Sequence, residues 1–143
     1  MSDLEPPGHD QRGGRERVSV VLADDHKLFR ASLARAIVNH PELELLAQAS
    51  NGIEALAAIE ALEPDVALVD VRMPGVDGLG VCDRVSRRRP RLRTRVLLVT
   101  AFADEVSGID TTALGAAGLL GKDASRAQLC AELIEAGRVG RRG

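Results

Sequence analysis

VALVDVRMPGVDG, residues 66–78, is the most informative stretch of this chain. It begins as a short apolar run, reaches a carboxylate at Asp70 and continues into a loop with turn-forming proline and glycine. A second run of this kind, VSVVLA at residues 18–23, leads into the pair Asp24 and Asp25. Such runs are typical of strands that are buried on both faces of a parallel sheet. We therefore predict three carboxylates at the carboxyl ends of two parallel strands.

Strand-like and helix-like patterns alternate along the rest of the chain. Strands are predicted at residues 18–23, 43–49, 66–70, 95–100 and 118–120. Helices are predicted near residues 27–39, from Ser50 or Asn51 to just before Pro64, from Leu79 onward, near 104–114 and near 125–137. Apolar residues in the helices recur three and four positions apart, as a single buried face requires. Five β/α units in this order predict a doubly wound α/β domain with helices on both faces of a parallel sheet.

The segment near 104–114 has the weakest helix pattern. Gly108, Ile109, Thr111 and Thr112 each disfavour a helix relative to alanine, by a few tenths to ~1 kcal/mol. We therefore expect the least stable helix of the domain here, and a segment that is able to move.

Length and composition describe an ordinary globular protein. A chain of 143 residues, 45% hydrophobic and 28% charged, can form one domain with an aliphatic core. Its net charge of -2 gives no general attraction to nucleic acid or to anionic membranes. With no transmembrane-length apolar run and no signal-peptide pattern, we expect a cytoplasmic protein. Residues 1–17 are predicted to be a disordered tail, and Cys82 and Cys130 to be buried free thiols.

Further polar residues follow two other predicted strands. Thr100 and Ala101 stand at the end of strand 95–100, and Lys122 follows the last strand. If these strands neighbour the first two, all of these residues meet the three carboxylates at one edge of the sheet. Carboxylates gathered in this way repel one another unless a proton or a cation intervenes, and Mg²⁺ is the natural occupant.

This group of residues suits phosphoryl transfer. Asp70 is a candidate nucleophile toward phosphorus, with Mg²⁺ and Lys122 neutralising the phosphoryl oxygens. Thr100 is a candidate hydrogen-bond donor to the resulting phosphoryl group. The simpler alternative, three solvated loop carboxylates, is disfavoured because Thr100 and Lys122 accompany them.

Four motifs together resemble a known family. They are ADDH at 23–26, LVDVRMPGVDG at 68–78, VTA at 99–101 and KD at 122–123. These resemble the signatures of the response-regulator receiver domain of two-component systems. The segments NGIEAL at 51–56 and LGAAG at 114–118 are similar to sequences of the NarL/FixJ (LuxR-type) subfamily. Each motif alone is weak, but their order and spacing from about Val18 to about Gly137 are highly specific.

The resemblance implies a receiver domain at residues 18–137. Its fold would be flavodoxin-like, with five parallel strands in the order 2-1-3-4-5. Asp70 would be the phosphoacceptor. Asp25, Asp70 and the main-chain carbonyl of Arg72 would ligate Mg²⁺, and Asp24 would hold the ion through water.

The resemblance also implies a signalling cycle. A sensor histidine kinase would phosphorylate the domain, whose only catalysis is its own Mg²⁺-dependent phosphorylation and dephosphorylation. Thr100, with the adjacent Ala101, would provide the switch hydroxyl, and Lys122 would pair with the phosphate. Activation would act through the helix predicted near 104–114, the fifth strand and the last helix, and would favour a homodimer.

Two positions depart from the family pattern. Leu119 stands where the family usually has a tyrosine or phenylalanine, so coupling of the switch is in question, and we expect this leucine to be buried. The chain stops at residues 138–143, where the subfamily normally continues through a linker into a helix-turn-helix domain. We expect a truncated linker here rather than a natural single-domain receiver, and DNA contact only through a domain beyond this chain.

Two other functions are considered. Loss of the aromatic residue would suit a phosphorylation-independent interaction module, which stays open. A phosphatase that uses a strand-end aspartate would need a second acid two positions on, and the presence of Arg72 there argues strongly against this function. His26 is predicted to be a surface residue, and the arginine run at 87–95 a solvated connection at the opposite end of the sheet.

Overall fold

A five-stranded parallel sheet forms the centre of the computed structural model, which describes residues 17–102 and 110–142. The strands are β1 (Val18–Ala23), β2 (Leu43–Ala49), β3 (Val66–Asp70), β4 (Arg95–Thr100) and β5 (Ala116–Gly121). The helices are α1 (Lys27–Val38), α2 (Gly52–Leu62), α3 (Gly78–Ser86) and α4 (Arg126–Arg142). The spatial order β2-β1-β3-β4-β5, with every pair parallel, confirms the flavodoxin-like doubly wound sheet. The tail predicted to be disordered falls almost entirely in residues 1–16, outside the described part.

Both faces of the sheet are covered, which explains why its strands are apolar throughout. All five residues of β3 are buried. Val69 faces a cluster that includes Ile59 of α2, whereas Leu68 faces the opposite cluster with Leu33 of α1 and Leu133 of α4. Each fully buried aliphatic side chain of this kind stabilises the fold by roughly 1.5–3 kcal/mol.

Local side-chain contacts set where two helices begin. The Asn51 side chain accepts a hydrogen bond from the Glu54 N–H (2.8 Å), and the Glu54 carboxylate accepts one from the Ser50 N–H (3.0 Å). This reciprocal arrangement satisfies main-chain donors at the start of α2. Asp77 caps α3 by accepting from the Gly80 N–H at 2.8 Å. Of the two candidate caps for α2, Asn51 is therefore the residue at the N-cap position.

The last helix is longer than predicted. α4 continues to Arg142, beyond the end that was predicted near residue 137. A Cβ atom at Gly137 would come within 2.4 Å of Val18 Cγ1, so the missing side chain lets α4 lie directly against β1. The interpretation of residues 138–143 as part of a linker stays a prediction. None of the described helices has the length and apolar character needed to cross a membrane.

The region before β5 differs from the predicted helix near 104–114. Residues 103–109 lie outside the described part of the chain, and residues 111–115 form turns instead of helix. The Ala116 N–H donates to the Thr111 carbonyl at 3.0 Å, and Gly115 has a positive φ of 95°. These contacts turn the chain directly into β5, which spans six residues rather than the predicted 118–120.

Both cysteines are structural. Cys82 belongs to α3 and lies in the core cluster that contains Ile59 of α2, and Cys130 belongs to α4 and lies in the cluster that contains Leu33 of α1. Both are free and buried, as predicted. Burial raises the pKa of the Cys82 thiol to about 11, so the thiolate form that reacts is rare at neutral pH.

Candidate functional site

The polar residues of the site meet at the point where the strand order reverses. β1 pairs with β2 on one side and β3 on the other, and Ala23 lies beside Val69 in the register of the sheet. Asp24 therefore follows β1 next to Asp70, the last residue of β3. Ligands of doubly wound sheets bind outside the carboxyl ends of the strands at such a reversal.

Asp24 is fully buried, and one of its oxygens lacks a hydrogen bond. Its Oδ1 accepts from the His26 N–H at 2.8 Å, and its main-chain carbonyl accepts from Arg30 Nη1 at 2.7 Å. No hydrogen bond reaches Asp24 Oδ2 from the described residues, although Lys122 Nζ lies 2.8 Å away as an ion-pair partner. A buried carboxylate oxygen that faces a cation but lacks an aligned donor is characteristic of a charge-binding site.

Lys122 brings a positive charge to both buried carboxylates. In addition to its contact with Asp24, its Nζ donates to Asp70 Oδ2 at 3.1 Å and lies 3.2 Å from His26 Nδ1. The side chain is only 11% exposed and lies over the Phe29 ring, 4.7 Å from the ring centroid. The ammonium therefore occupies a fixed position between β1 and β3.

The electrostatic environment of Asp70 disfavours its charged form. Burial, and then the negative charge of Asp24, raises the pKa of Asp70 to about 6, while Lys122 acts in the opposite direction. One ammonium thus compensates only part of the repulsion between two buried carboxylates. A proton on one of the carboxylates, or an added cation, would relieve the remaining repulsion.

Four side chains at this edge could hold a metal ion. One ligand atom from each of Asp24, Asp25, His26 and Asp70 lies within 4.8 Å of the others. Asp25 is 41% exposed, so the cluster opens to solvent on its side. The Arg72 N–H donates to Asp70 Oδ1 at 3.3 Å, which places the main chain of Arg72 beside the carboxylate. The oxygen-rich donor set and the unsatisfied Asp24 oxygen fit a hard divalent cation.

The residues after β4 reach the same edge of the sheet. Thr100 is 2% exposed, its hydroxyl accepts from the Phe102 N–H at 3.1 Å, and its carbonyl accepts from the Lys122 N–H at 2.9 Å. Ala101 is exposed and, with Lys122 and residues 26–29, lines an open cavity of about 420 Å³ beside the carboxylates. The structure thus brings together the residues that the sequence placed at this edge.

The exposure of Leu119 contradicts the prediction that this side chain is buried. Leu119 pairs with Leu98 in the sheet and is 36% exposed, whereas burial was predicted. β5 is an edge strand with only one neighbouring strand in the described sheet, so its side chains are covered less completely than those of β3.

Two neighbours of the carboxylates were not predicted to belong to the site. His26 is 68% exposed, in line with a surface residue, yet its Nδ1 lies 3.6 Å from Asp24 Oδ1. The available signal was its place directly after the acidic pair. At Gly78 a Cβ atom would come within 2.3 Å of the Asp70 carbonyl oxygen, so only glycine allows α3 to begin so close to the strand end. The glycine that closes the loop motif therefore supports the site.

Fold and site together define the class. Five parallel strands with buried carboxylates and a lysine at the reversal point belong to a flavodoxin-like α/β domain whose carboxylates could hold a cation. The chain belongs to the response regulator receiver domain family, whose model matches residues 20–134. It is thus a receiver domain of the kind found in two-component response regulators.

Individual relatives agree with this family. "Probable transcriptional regulatory protein NarL" of Mycobacterium tuberculosis H37Rv is 40% identical over 120 residues, which cover 84% of this chain and 55% of that protein. "DNA-binding transcriptional activator DevR/DosR" of the same organism is 33% identical over 120 residues, covering 84% and 54%. The solved signal receiver domain of NarL from M. tuberculosis has a TM-score of 0.81 and 38% identity, covering 87% of this chain and 98% of that one. The chain spans about half the length of the two regulators.

Proposed function

We propose that this domain accepts a phosphoryl group on Asp70 from the phosphohistidine of a sensor histidine kinase. The observation that carries the proposal is the Asp70 carboxylate, which is buried beside Asp24 and accepts a hydrogen bond from Lys122. With a pKa of about 6, Asp70 is ionised at neutral pH and available as a nucleophile. Burial and the nearby charge of Asp24 nevertheless destabilise the ionised form of Asp70, and phosphorylation would change the charge at this position.

In the proposed step, a carboxylate oxygen of Asp70 forms a bond to phosphorus. The phosphorus–nitrogen bond of the donor breaks, and its electron pair returns to the imidazole of the kinase. Lys122 is placed to neutralise phosphoryl oxygens, because its Nζ already contacts Asp70 Oδ2 at 3.1 Å. Thr100 ends the adjacent strand, and its hydroxyl is the proposed donor to the phosphoryl group.

The proposed cation is Mg²⁺. Asp25, Asp70 and the main-chain carbonyl of Arg72 would hold it, and Asp24 would act through water. When bound, the ion neutralises charge on the transferring phosphoryl group. The unsatisfied oxygen of Asp24 and the repulsion that raises the Asp70 pKa support this assignment.

Transcription is the proposed output. Two relatives are transcription regulators by name, and the chain matches about half of each. We therefore propose that DNA is contacted by a domain outside residues 18–137 and that phosphorylation favours a homodimer. The surface predicted to respond includes β5, α4 and the segment near 104–114, of which residues 104–109 lie outside the described part.

Intact-mass measurement after incubation with acetyl phosphate and Mg²⁺ tests the phosphoacceptor. The protein should gain about 80 Da, the mass of one phosphoryl group, and Asp70→Asn should gain nothing. Asp83→Asn is the matched control, because it makes the same chemical change on α3, where Asp83 pairs with Arg87 at 3.1 Å. The control should be labelled like the unmodified protein.

The other outcomes separate the competing functions. Labelling of Asp70→Asn at the rate of the unmodified protein would refute the assignment. A folded protein that is never labelled would indicate a phosphorylation-independent interaction module, for which the departure at Leu119 would be the first explanation. Rapid release of phosphate without accumulation of the adduct would favour an enzyme.

A further inference from the structure

His26 is the one nitrogen donor in the cluster of candidate metal ligands. Its Nδ1 lies 3.6 Å from Asp24 Oδ1, 3.8 Å from Asp25 Oδ1 and 4.0 Å from Asp70 Oδ2. One ring nitrogen therefore faces all three carboxylates at similar distances. Although the side chain is 68% exposed, its Nδ1 is directed toward these carboxylates.

The position of His26 is set by its main chain. Its N–H donates to Asp24 Oδ1 at 2.8 Å, and the residue forms the extended N-cap of α1. The Arg30 N–H donates to the His26 carbonyl at 3.0 Å. Hydrogen bonds therefore hold both the main-chain N–H and the main-chain carbonyl of His26 in place.

The contact with Lys122 reveals which way the Nδ1 lone pair points. An ammonium group can only donate hydrogen bonds, so at 3.2 Å the His26 Nδ1 must be the acceptor. The lone pair is therefore directed into the cluster, toward the position of a positive charge. Neutral imidazole in this arrangement is the form that binds metal ions.

Lys122 also shows that this position accommodates a cation. Its Nζ contacts Asp24 Oδ2 at 2.8 Å, Asp70 Oδ2 at 3.1 Å and His26 Nδ1 at 3.2 Å. Two carboxylates and one imidazole thus surround a single positive charge. The same three groups, with the exposed carboxylate of Asp25, make up a mixed oxygen and nitrogen donor set.

We propose that His26 is a metal ligand that raises the affinity of this site for divalent first-row transition ions relative to its affinity for Mg²⁺. Oxygen ligands alone suit Mg²⁺, whereas imidazole adds affinity for ions such as Fe²⁺, Co²⁺ and Ni²⁺. The inference rests on the cation site of the proposed function and adds a selectivity that the three carboxylates cannot provide. His26 would thereby set which ion occupies the domain where both are present.

Calorimetric titration with Mg²⁺ and with Co²⁺ tests this selectivity. Substitution His26→Gln should weaken Co²⁺ binding by about tenfold or more, the scale of losses in metal-site variants. Mg²⁺ binding should change by no more than about twofold, because Mg²⁺ gains little from imidazole. His40→Gln is the matched control, since His40 Nδ1 accepts from the Glu42 N–H at 3.1 Å on a different loop. Melting curves of the metal-free variants confirm that each is folded.

Proton NMR of the Co²⁺ complex provides a direct readout of ligation. A bound imidazole gives a strongly shifted, exchangeable N–H signal, which should disappear in His26→Gln and persist in His40→Gln. An unchanged signal in His26→Gln, unchanged Co²⁺ affinity, or equal weakening of both ions would each overturn the proposal.

A second variant separates this inference from the proposed function. Asp25→Asn should weaken both Mg²⁺ and Co²⁺. If neither ion is affected, the proposed cation site itself is wrong. If Asp25→Asn acts on both ions and His26→Gln on neither, only the role of His26 is refuted.

Discussion

The two ends of the sheet differ in how completely their buried and partly buried polar groups are hydrogen-bonded. At the amino-terminal end, Asp65 Oδ2 accepts from both the Ser19 N–H (2.8 Å) and the Ser19 hydroxyl (3.1 Å), and the Asp65 N–H donates to the same hydroxyl at 2.9 Å. Thr94 Oγ1 there donates to the Pro64 carbonyl at 2.6 Å. At the carboxyl end, two carboxylates are buried with one ammonium, and Asp24 Oδ2 has no hydrogen bond from the described residues.

The difference indicates that the amino-terminal end contributes to the stability of the domain, and that the carboxyl end is the place of the proposed chemistry. Satisfied polar groups at the amino-terminal end hold β1, β3 and β4 together. The carboxyl end retains repulsion between buried carboxylates, which a bound cation would relieve. The same strands carry both ends, so the hydrogen bonds at the amino-terminal end stabilise the strands from which the carboxylates project.

The largest expected effect is a loss of stability at the amino-terminal end. Asp65→Ala removes the acceptor of the Ser19 N–H and hydroxyl, and should lower the free energy of unfolding by about 2–3 kcal/mol. Urea denaturation followed by circular dichroism measures this value. Asp83→Ala, which breaks only an exposed pair with Arg87, should cost less than about 0.5 kcal/mol. Equal losses in the two variants would contradict the contrast between the ends.

Removal of a charge at the carboxyl end should increase stability, which is the opposite of the effect expected for Asp65→Ala. Asp70→Asn should raise the free energy of unfolding by up to about 3 kcal/mol at pH 7.5 in EDTA, because each unit of the pKa difference between the folded and unfolded states corresponds to about 1.4 kcal/mol. The folded-state pKa of about 6 exceeds the ordinary value of 3.8. Between about pH 4 and about pH 6 the folded protein therefore keeps a proton on Asp70 that the unfolded chain has lost, and above that range both states are ionised.

The pH dependence provides the check on that prediction. Stability of the unmodified protein should fall as the pH rises from about 4 to about 6 and level off above, relative to Asp70→Asn. The gain in the variant should accordingly be small at pH 4 and complete near pH 7. A gain that does not depend on pH would mean that Asp70 does not titrate in this way.

The smallest effect concerns the added cation. Mg²⁺ at ten times its Kd should raise the free energy of unfolding by about 1.4 kcal/mol through mass action, since only the fold gathers the carboxylates. Melting curves with and without Mg²⁺ measure the shift, and Asp25→Asn should reduce it. The same titration of Asp65→Ala should give the full shift, because that variant leaves the carboxyl end unchanged. A shift that survives in Asp25→Asn would place the ion elsewhere.

The sequence was a good guide to the fold wherever the pattern was local. The strands at 18–23, 43–49, 66–70 and 95–100 were predicted at their observed bounds, because each is an apolar run bounded by polar or turn residues. α4 was misjudged because the role of Gly137 depends on a distant contact with Val18. No pattern within the helix itself contains that information.

The site was predictable to a similar extent. The carboxylates and Lys122 could be grouped because they follow parallel strands, and parallel strands end at the same edge of a sheet. His26 was not grouped with them, since residue order does not reveal the direction of a side chain at a helix start. The exposure of Leu119 was missed because covering an edge strand depends on neighbours that the sequence does not specify.

During synthesis of the chain, the carboxylates of Asp24 and Asp70 are made well before the Lys122 ammonium that pairs with them. Lys122 comes 52 residues after Asp70 and 96 residues after His26, in the loop that follows the last strand. Because a nascent chain emerges from its amino terminus, a ribosome-bound intermediate that ends at β4 contains every carboxylate of the site and lacks its ammonium. The Asp70 carboxylate therefore acquires its ammonium partner only after β5 and the loop that follows it have been made and have joined the sheet.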